Sequence, residues 1–326
     1  MTLQEVPGAL VTRADVVLVQ RLIGDRVRRT PLLDVEAGVL GGTPVTLKLE
    51  QLQHTGSFKA RGALSALLAA GELPASGVVA ASGGNHGLAV AWAAGQLGVR
   101  ATVFVPTTAP TAKVEGLRGL GADVRLVGDR YAQALHAAEE FRESTGAFAV
   151  HAYDDPAVVA GQGTLALELL DDLADRRHGV NEVDTVLVAV GGGGLASGVA
   201  AALDGRAEVV GVEPEGSRTW NEALAAGQPV DVEVGGVAAD ALGATRLGGT
   251  PWHTLTSAGA RSVVVSPRAV FETRQLLWQR LRLIVEPGGA VAPAALLSGA
   301  YTPRRGERIA VIICGANTDP TSLQPE

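Results

Sequence analysis

Short apolar and β-branched runs recur at residues 45–49, 78–81, 101–105, 124–127, 148–153, 185–190, 209–212, 262–265 and 309–313, with Ala- and Leu-rich helical stretches between many of them. A strand that reads as an unbroken hydrophobic run is buried on both faces, the condition met when crossover helices cover a parallel sheet. The pattern therefore predicts an α/β fold. No fixed-period repeat, heptad array, low-complexity tract or Pro/Ser-rich linker interrupts it, which argues against solenoids and coiled coils. Residues 170–184 carry Asp171, Asp172, Asp175, Arg176 and Arg177 and predict a solvated helix end and loop.

Composition narrows the function classes. The 326 residues suit about two domains. With 47% apolar and 19% charged residues, burial outweighs charge and the chain folds. The net charge is -7 with no cluster of Lys and Arg, so no nucleic-acid partner is expected. A single cysteine, Cys314, excludes an intrachain disulfide and any multi-cysteine metal site, and fits a cytoplasmic location. Glu5, Arg13 and Asp15 break any signal-peptide core, and no stretch of 18 uncharged apolar residues follows, so a soluble protein without membrane contact is expected. Glycine reaches 42 residues, whereas lysine occurs only at Lys48, Lys59 and Lys113. Arginine supplies nearly all the positive charge, so each lysine invites its own explanation.

Four segments could carry chemistry. In the first, Thr55-Gly56-Ser57-Phe58-Lys59-Ala60-Arg61-Gly62-Ala63, Ser57 reads as the N-cap of an apolar helix over 64–70, with Lys59 in its first turn. A cation there opposes the helix dipole by about 0.3–1 kcal/mol. A lysine bound as an imine beside an anionic group removes that conflict. In the second, a strand over 78–81 runs into Ser82-Gly83-Gly84-Asn85-His86-Gly87 and then a helix over 88–97, placing free backbone N–H groups where a carboxylate or phosphate would sit. The third is a strand followed by Gly191, Gly192, Gly193 and Gly194, whose backbone can converge on one phosphate without side-chain obstruction. Gly191, Gly193 and Ala196 also satisfy a dinucleotide spacing with Glu213 about 20 residues on. That NAD reading explains none of the other segments. In the fourth, Cys314 ends the apolar run 309–313, at the strand end where open α/β sheets place ligands.

The set S-F-K-A-R-G-A, S-G-G-N-H-G, G-G-G-G-L, E-P-G-G-A and C-G-A-N-T-D, in this order from Thr55 to Asp319, resembles the fold type II pyridoxal-phosphate enzymes, and among them the serine/threonine dehydratase and serine racemase family. The resemblance implies two open, twisted, mostly parallel sheets flanked by helices. It also implies a large cofactor-binding domain of residues 1–53 plus 154–326, a smaller mobile domain of residues 54–153, and a homodimer. By the same resemblance Lys59 bonds to the cofactor aldehyde, Phe58 lies beside the ring, and Asn85 bonds the 3′-oxygen. Gly191 to Gly194 hold the phosphate, and Ser82, Gly83, Asn85 and His86 receive the substrate carboxylate. Cys314 faces the pyridine nitrogen, Gly236 approaches the open side, and Glu286 forms a wall. Glu213 matches one carboxylate of the family's cation site, but Thr219 stands where relatives can supply an aspartate, so no tight metal site is expected.

The implied activity is a pyridoxal-phosphate ammonia-lyase acting on L-threonine, L-serine or a related β-hydroxy amino acid. A racemase or β-replacement synthase on the same scaffold is the alternative. Gly83 stands where the racemases place a serine, and Gly235 replaces an aspartate found in many relatives.

Overall fold

The computed structural model describes residues 8–176 and 183–323. Its strands are β1 Leu32–Val35, β2 Val45–Leu49, β3 Val78–Ala81, β4 Ala101–Val105, β5 Asp123–Leu126, β6 Phe148–Ala149, β7 Thr185–Ala189, β8 Glu208–Pro214, β9 Arg261–Val265 and β10 Ile309–Ile313. The helices among them are α1 Arg13–Ile23, α2 Lys59–Ala69, α3 Asn85–Gln96, α4 Thr111–Gly119, α5 Tyr131–Thr145, α6 Pro156–Arg176, α7 Gly194–Leu203, α8 Thr219–Ala226, α9 Ala239–Leu242, α10 Gly249–Ser257, α11 Pro267–Leu281 and α12 Pro287–Leu297.

Two sheets form, in the orders β1-β2-β10-β7-β8-β9 and β5-β4-β3-β6. Every pairing is parallel except β1 with β2. The mostly parallel α/β architecture agrees with the hydrophobic pattern, because the central strands β2, β7 and β10 are buried along their whole length. Registers of Ile309 with both Val45 and Thr185 align β10 with its neighbours. The carboxyl ends of β7 and β10 thus open onto one crevice, the position favoured for ligands in such sheets.

Most of the apolar core is continuous between the sheets and their helices. A second, smaller cluster of Val79, Phe104, Ala134, Ala138 and Ala147 lies beneath α5. Between β2, α2 and α6 the core admits charge: Lys48, Glu50, Arg61 and Glu168 are all buried and hydrogen-bonded to one another.

Two details differ from the sequence pattern. The run 148–153 yields only the two-residue β6, because the His151 ring accepts the Tyr153 and Asp154 N–H groups and turns the chain. Strand β1 has no counterpart among the apolar runs, because it lies at the sheet edge and its burial is not continuous. The charge-rich stretch forms the expected solvated helix end, with α6 continuing to Arg176 and Asp171, Asp175 and Arg176 exposed, while Arg177 lies outside the described residues.

Candidate active site

Lys59 is delivered by a loop zipped to the end of β10. Thr55 and Gly56 turn the chain with φ of +60° and +74°. Ser57 then pairs antiparallel with Gly315. The Phe58 N–H donates to the Cys314 carbonyl at 3.1 Å, and the Ala316 N–H donates to the Gly56 carbonyl at 2.9 Å. Because Ser57 is held extended by this bridge, it does not cap the helix as expected; Phe58 occupies that position and α2 starts at Lys59. The Lys59 Nζ donates to the Ala152 carbonyl at 2.7 Å and lies 5.2 Å from the centre of the Phe58 ring. Burial pushes its pKa down to about 8, against the opposing pull of Cys314 and Glu286.

The loop after β3 leads into α3, whose N-terminus no side chain caps. Its first-turn N–H groups are therefore disposed to receive an anion. The Ser82 hydroxyl accepts the Gly84 N–H at 3.2 Å. A Cβ at Gly83 would lie 3.3 Å from Val105, leaving little room for a larger residue. The Asn85 Nδ2 donates to Glu286 Oε1 at 2.6 Å. The His86 Nε2 pairs with the Val150 carbonyl at 2.9 Å. Burial, with the Lys59 charge, pushes His86 down to about 3, so its ring is neutral and donates to that carbonyl.

The glycine loop packs too closely against its neighbours for side chains. Gly193, with φ of +91°, precedes α7, which has no side-chain cap. A Cβ on Gly192 would enter the Tyr153 ring, and one on Gly194 would lie 2.9 Å from the Tyr153 carbonyl. Gly191 approaches Leu242 so closely that a Cβ would sit 3.1 Å from its Cα. Thus Ala152 holds the lysine amine while its neighbour Tyr153 backs the glycine loop. Neither residue carries a signal in the sequence pattern.

The remaining wall comes from the large sheet. Cys314 is buried at the end of β10 with its Sγ 3.5 Å from the Gly288 carbonyl. Burial, then Glu286, pushes the thiol up, so it stays protonated. Glu286 precedes α12, and burial raises its carboxyl to about 7 despite hydrogen bonds from Asn85 and the Asn317 N–H. A Cβ on Gly315 would strike the Glu286 carboxylate. Gly236 has φ of +79°, in a loop where the Gly235 N–H donates to the Gly216 carbonyl at 2.9 Å. Lys113 on α4 pairs with Asp240 on α9 at 2.8 Å.

Glu213 has structural work instead. Its buried carboxylate accepts N–H groups of Trp220 and Asn221 at 2.7 and 2.8 Å and the Ser262 hydroxyl at 3.1 Å, anchoring the start of α8. Thr219 links it to the Gly191 carbonyl. With these donors in place, Glu213 presents no carboxylate to a cation or a ribose, which removes the dinucleotide reading. Among the described residues no group of three His, Cys, Asp or Glu side chains could hold a metal ion.

The family model for pyridoxal-phosphate dependent enzymes matches residues 23–315. The chain belongs to that family. It is 36% identical to the L-threonine ammonia-lyase of Thermotoga maritima over 316 residues, covering 95% of this chain and 76% of that protein. The solved T.th. threonine deaminase superposes with a TM-score of 0.85 at 38% identity, covering 94% of this chain and 99% of the other. Maize serine racemase superposes with a TM-score of 0.88 at 29% identity, covering 97% and 96%. The cofactor implied by membership is pyridoxal 5′-phosphate. The residues fit it: a half-buried lysine amine is held by Ala152, whose neighbour Tyr153 packs on a glycine loop with no room for side chains, and two helix starts are uncapped, one for each anionic group.

Proposed function

We propose that this chain is a pyridoxal-phosphate ammonia-lyase that converts L-threonine, L-serine or a related β-hydroxy amino acid to a 2-oxo acid and ammonia. The observation that carries the reading is the environment of Lys59. Its half-buried amine meets a backbone carbonyl, whereas Lys48 and Lys113 are each held by carboxylates.

The bound cofactor supplies an electron sink for charge developing at the substrate Cα. Lys59 would hold it, and the lysine amine, when free and uncharged, would take a proton from the substrate Cα. Gly191, Gly192, Gly193 and Gly194 with the start of α7 would hold the phosphate. Asn85 would donate to the ring oxygen, Cys314 would face the ring nitrogen, and Phe58, Gly236 and Glu286 would enclose the ring. Ser82, Gly83, Asn85 and His86 at the start of α3 receive the substrate carboxylate. The smaller domain, residues 54–153, closes over substrate, with the Lys113–Asp240 pair joining α4 to α9. The proposal includes a homodimer, as the resemblance implies, and a cytoplasmic location, which the single cysteine fits. Among the described residues no helix is long and apolar enough to cross a membrane.

The geometry favours elimination over racemisation. Racemisation needs a second acid on the opposite face of the ring, within about 3 Å of the Cα. Gly83 has no side chain there, and the neutral His86 is tied to Val150. In deuterated buffer, L-serine and L-threonine are expected to yield 2-oxo acid faster than inverted, deuterium-labelled amino acid. The opposite order, read by chiral chromatography and mass spectrometry, would make the protein a racemase.

Cys314 offers a second check. A protonated thiol cannot hold a proton on the pyridine nitrogen as a carboxylate would, which weakens the electron sink and favours prompt loss of the β-group. Cys314→Ser is expected to keep most activity, and Cys314→Asp to raise the share of transamination. A serine variant that binds cofactor but turns over nothing would contradict this role.

A further inference from the structure

We infer that Asn317 is a positioning residue that sets which way the Asn85 amide points, and so whether that amide offers a donor or an acceptor to the cofactor. The inference rests on the reading of Asn85 as the ligand of the ring oxygen. It concerns a residue to which neither the motifs nor the family membership gives a role.

An asparagine amide has an oxygen that only accepts and a nitrogen that only donates, so its orientation is decided by its neighbours. Here the decision starts from a backbone carbonyl. The Asn317 Nδ2 donates to the Thr55 carbonyl at 2.7 Å. A carbonyl oxygen is an obligate acceptor, so the nitrogen of Asn317 must face this way. The same nitrogen reaches Asn85 Oδ1 at 2.6 Å. The Asn85 oxygen is thereby assigned, and its nitrogen falls opposite Glu286 Oε1 at 2.6 Å. In the reverse orientation two NH2 groups would face each other, and two oxygens would meet at the carboxylate. With one N–H given to Glu286, Asn85 keeps a second for an anionic ring oxygen.

The network is built into the backbone on both sides. A Cβ on Gly56 would sit 2.6 Å from Asn317 Oδ1 and would need a left-handed φ. Gly315 is bare where the Glu286 carboxylate lies. The loop that receives the Asn317 bond is the one that delivers Lys59, through the pairing of Ser57 with Gly315. The lysine nitrogen and the Asn85 donor serve neighbouring substituents of one ring. Asn317 therefore fixes their mutual placement as well as the sense of the amide.

The test is Asn317→Asp, which keeps the shape but replaces the donor by an acceptor. It would repel the Thr55 carbonyl and draw the Asn85 nitrogen toward itself. Cofactor affinity, measured by fluorescence titration of the cofactor-free protein, is expected to fall about tenfold or more. The visible absorbance of the bound cofactor is expected to change its pH midpoint, and Asn85→Ala to give the same change. The double variant should add little to either single one, as coupled residues do. Thermal unfolding of the cofactor-free variants separates these effects from misfolding, and Asn317→Ser supplies a second, smaller replacement if the aspartate variant does not fold. If Asn85→Ala leaves affinity and midpoint unchanged, the reading of Asn85 fails. If it moves them while folded Asn317 variants do not, or if the effects simply add, the positioning role fails and the reading of Asn85 stands.

Discussion

Replacing Lys59 with alanine is expected to lower turnover by about 10³-fold or more, because one amine serves as both the anchor and the base. The fold should survive, since the side chain makes a single described hydrogen bond, to Ala152. Borohydride treatment of the wild-type holoenzyme should fix the cofactor on Lys59, located by peptide mass spectrometry. Lys48 is enclosed by Glu168 and Asp172 at 2.8 and 3.6 Å, and Lys113 is paired with Asp240, so label on either would refute the assignment. The same amine predicts the pH profile. With its pKa lowered to about 8 by burial, the proton-free form that acts as base is lost as pH falls below that value. The turnover rate should then drop about tenfold per pH unit and level off above the midpoint. An ordinary lysine would place that midpoint more than two units higher, near about 10.4.

The largest stability effect is expected two residues along the same helix. The Arg61 guanidinium is completely buried between two carboxylates: it meets Glu50 at 2.8 and 2.9 Å and Glu168 at 2.7 and 2.9 Å. Lys48 adds a bond to Glu168 at 2.8 Å. Arg61→Ala would leave two buried carboxylates facing an empty space, and is expected to destabilise the protein by about 3–5 kcal/mol. Arg61→Lys should recover only part of this, because an ammonium cannot make two planar forks. The measurement is denaturant unfolding of the cofactor-free protein, and a loss below about 1 kcal/mol would show the cluster to be energetically idle.

Glu168 gives that cluster a pH signature. Burial alone would raise its carboxyl, but the Arg61 and Lys48 charges overcome this and hold it below the usual range. A depressed carboxyl contributes stability above its unfolded pKa and loses it as pH falls through the folded one. Wild-type stability should therefore decline on the acid side, and Arg61→Ala should flatten that limb.

The α/β class was legible because its evidence is local: buried parallel strands need apolar residues throughout, and the runs at 45–49, 78–81, 101–105 and 309–313 coincide with β2, β3, β4 and β10. The glycine loop was legible for a similar reason: close backbone approach is written into Gly191 to Gly194, and the atoms that approach Gly191, Gly192 and Gly194 are those of Leu242 and Tyr153. Other features became visible only when distant segments met. Ser57 has the chemistry of a helix cap, yet its pairing with Gly315 made it a strand residue. Glu213 has the chemistry of a ligand, yet the start of α8 and Ser262 consumed its oxygens. Tyr153 and Asn317 act through contacts with Gly192, Thr55 and Asn85, partners that no spacing along the chain brings together. The sequence by itself determined which backbone stretches can be buried or can approach an anion, because those properties belong to each residue. Only the tertiary structure decided which polar groups are consumed and which remain for chemistry, because a hydrogen-bond partner is a property of a pair.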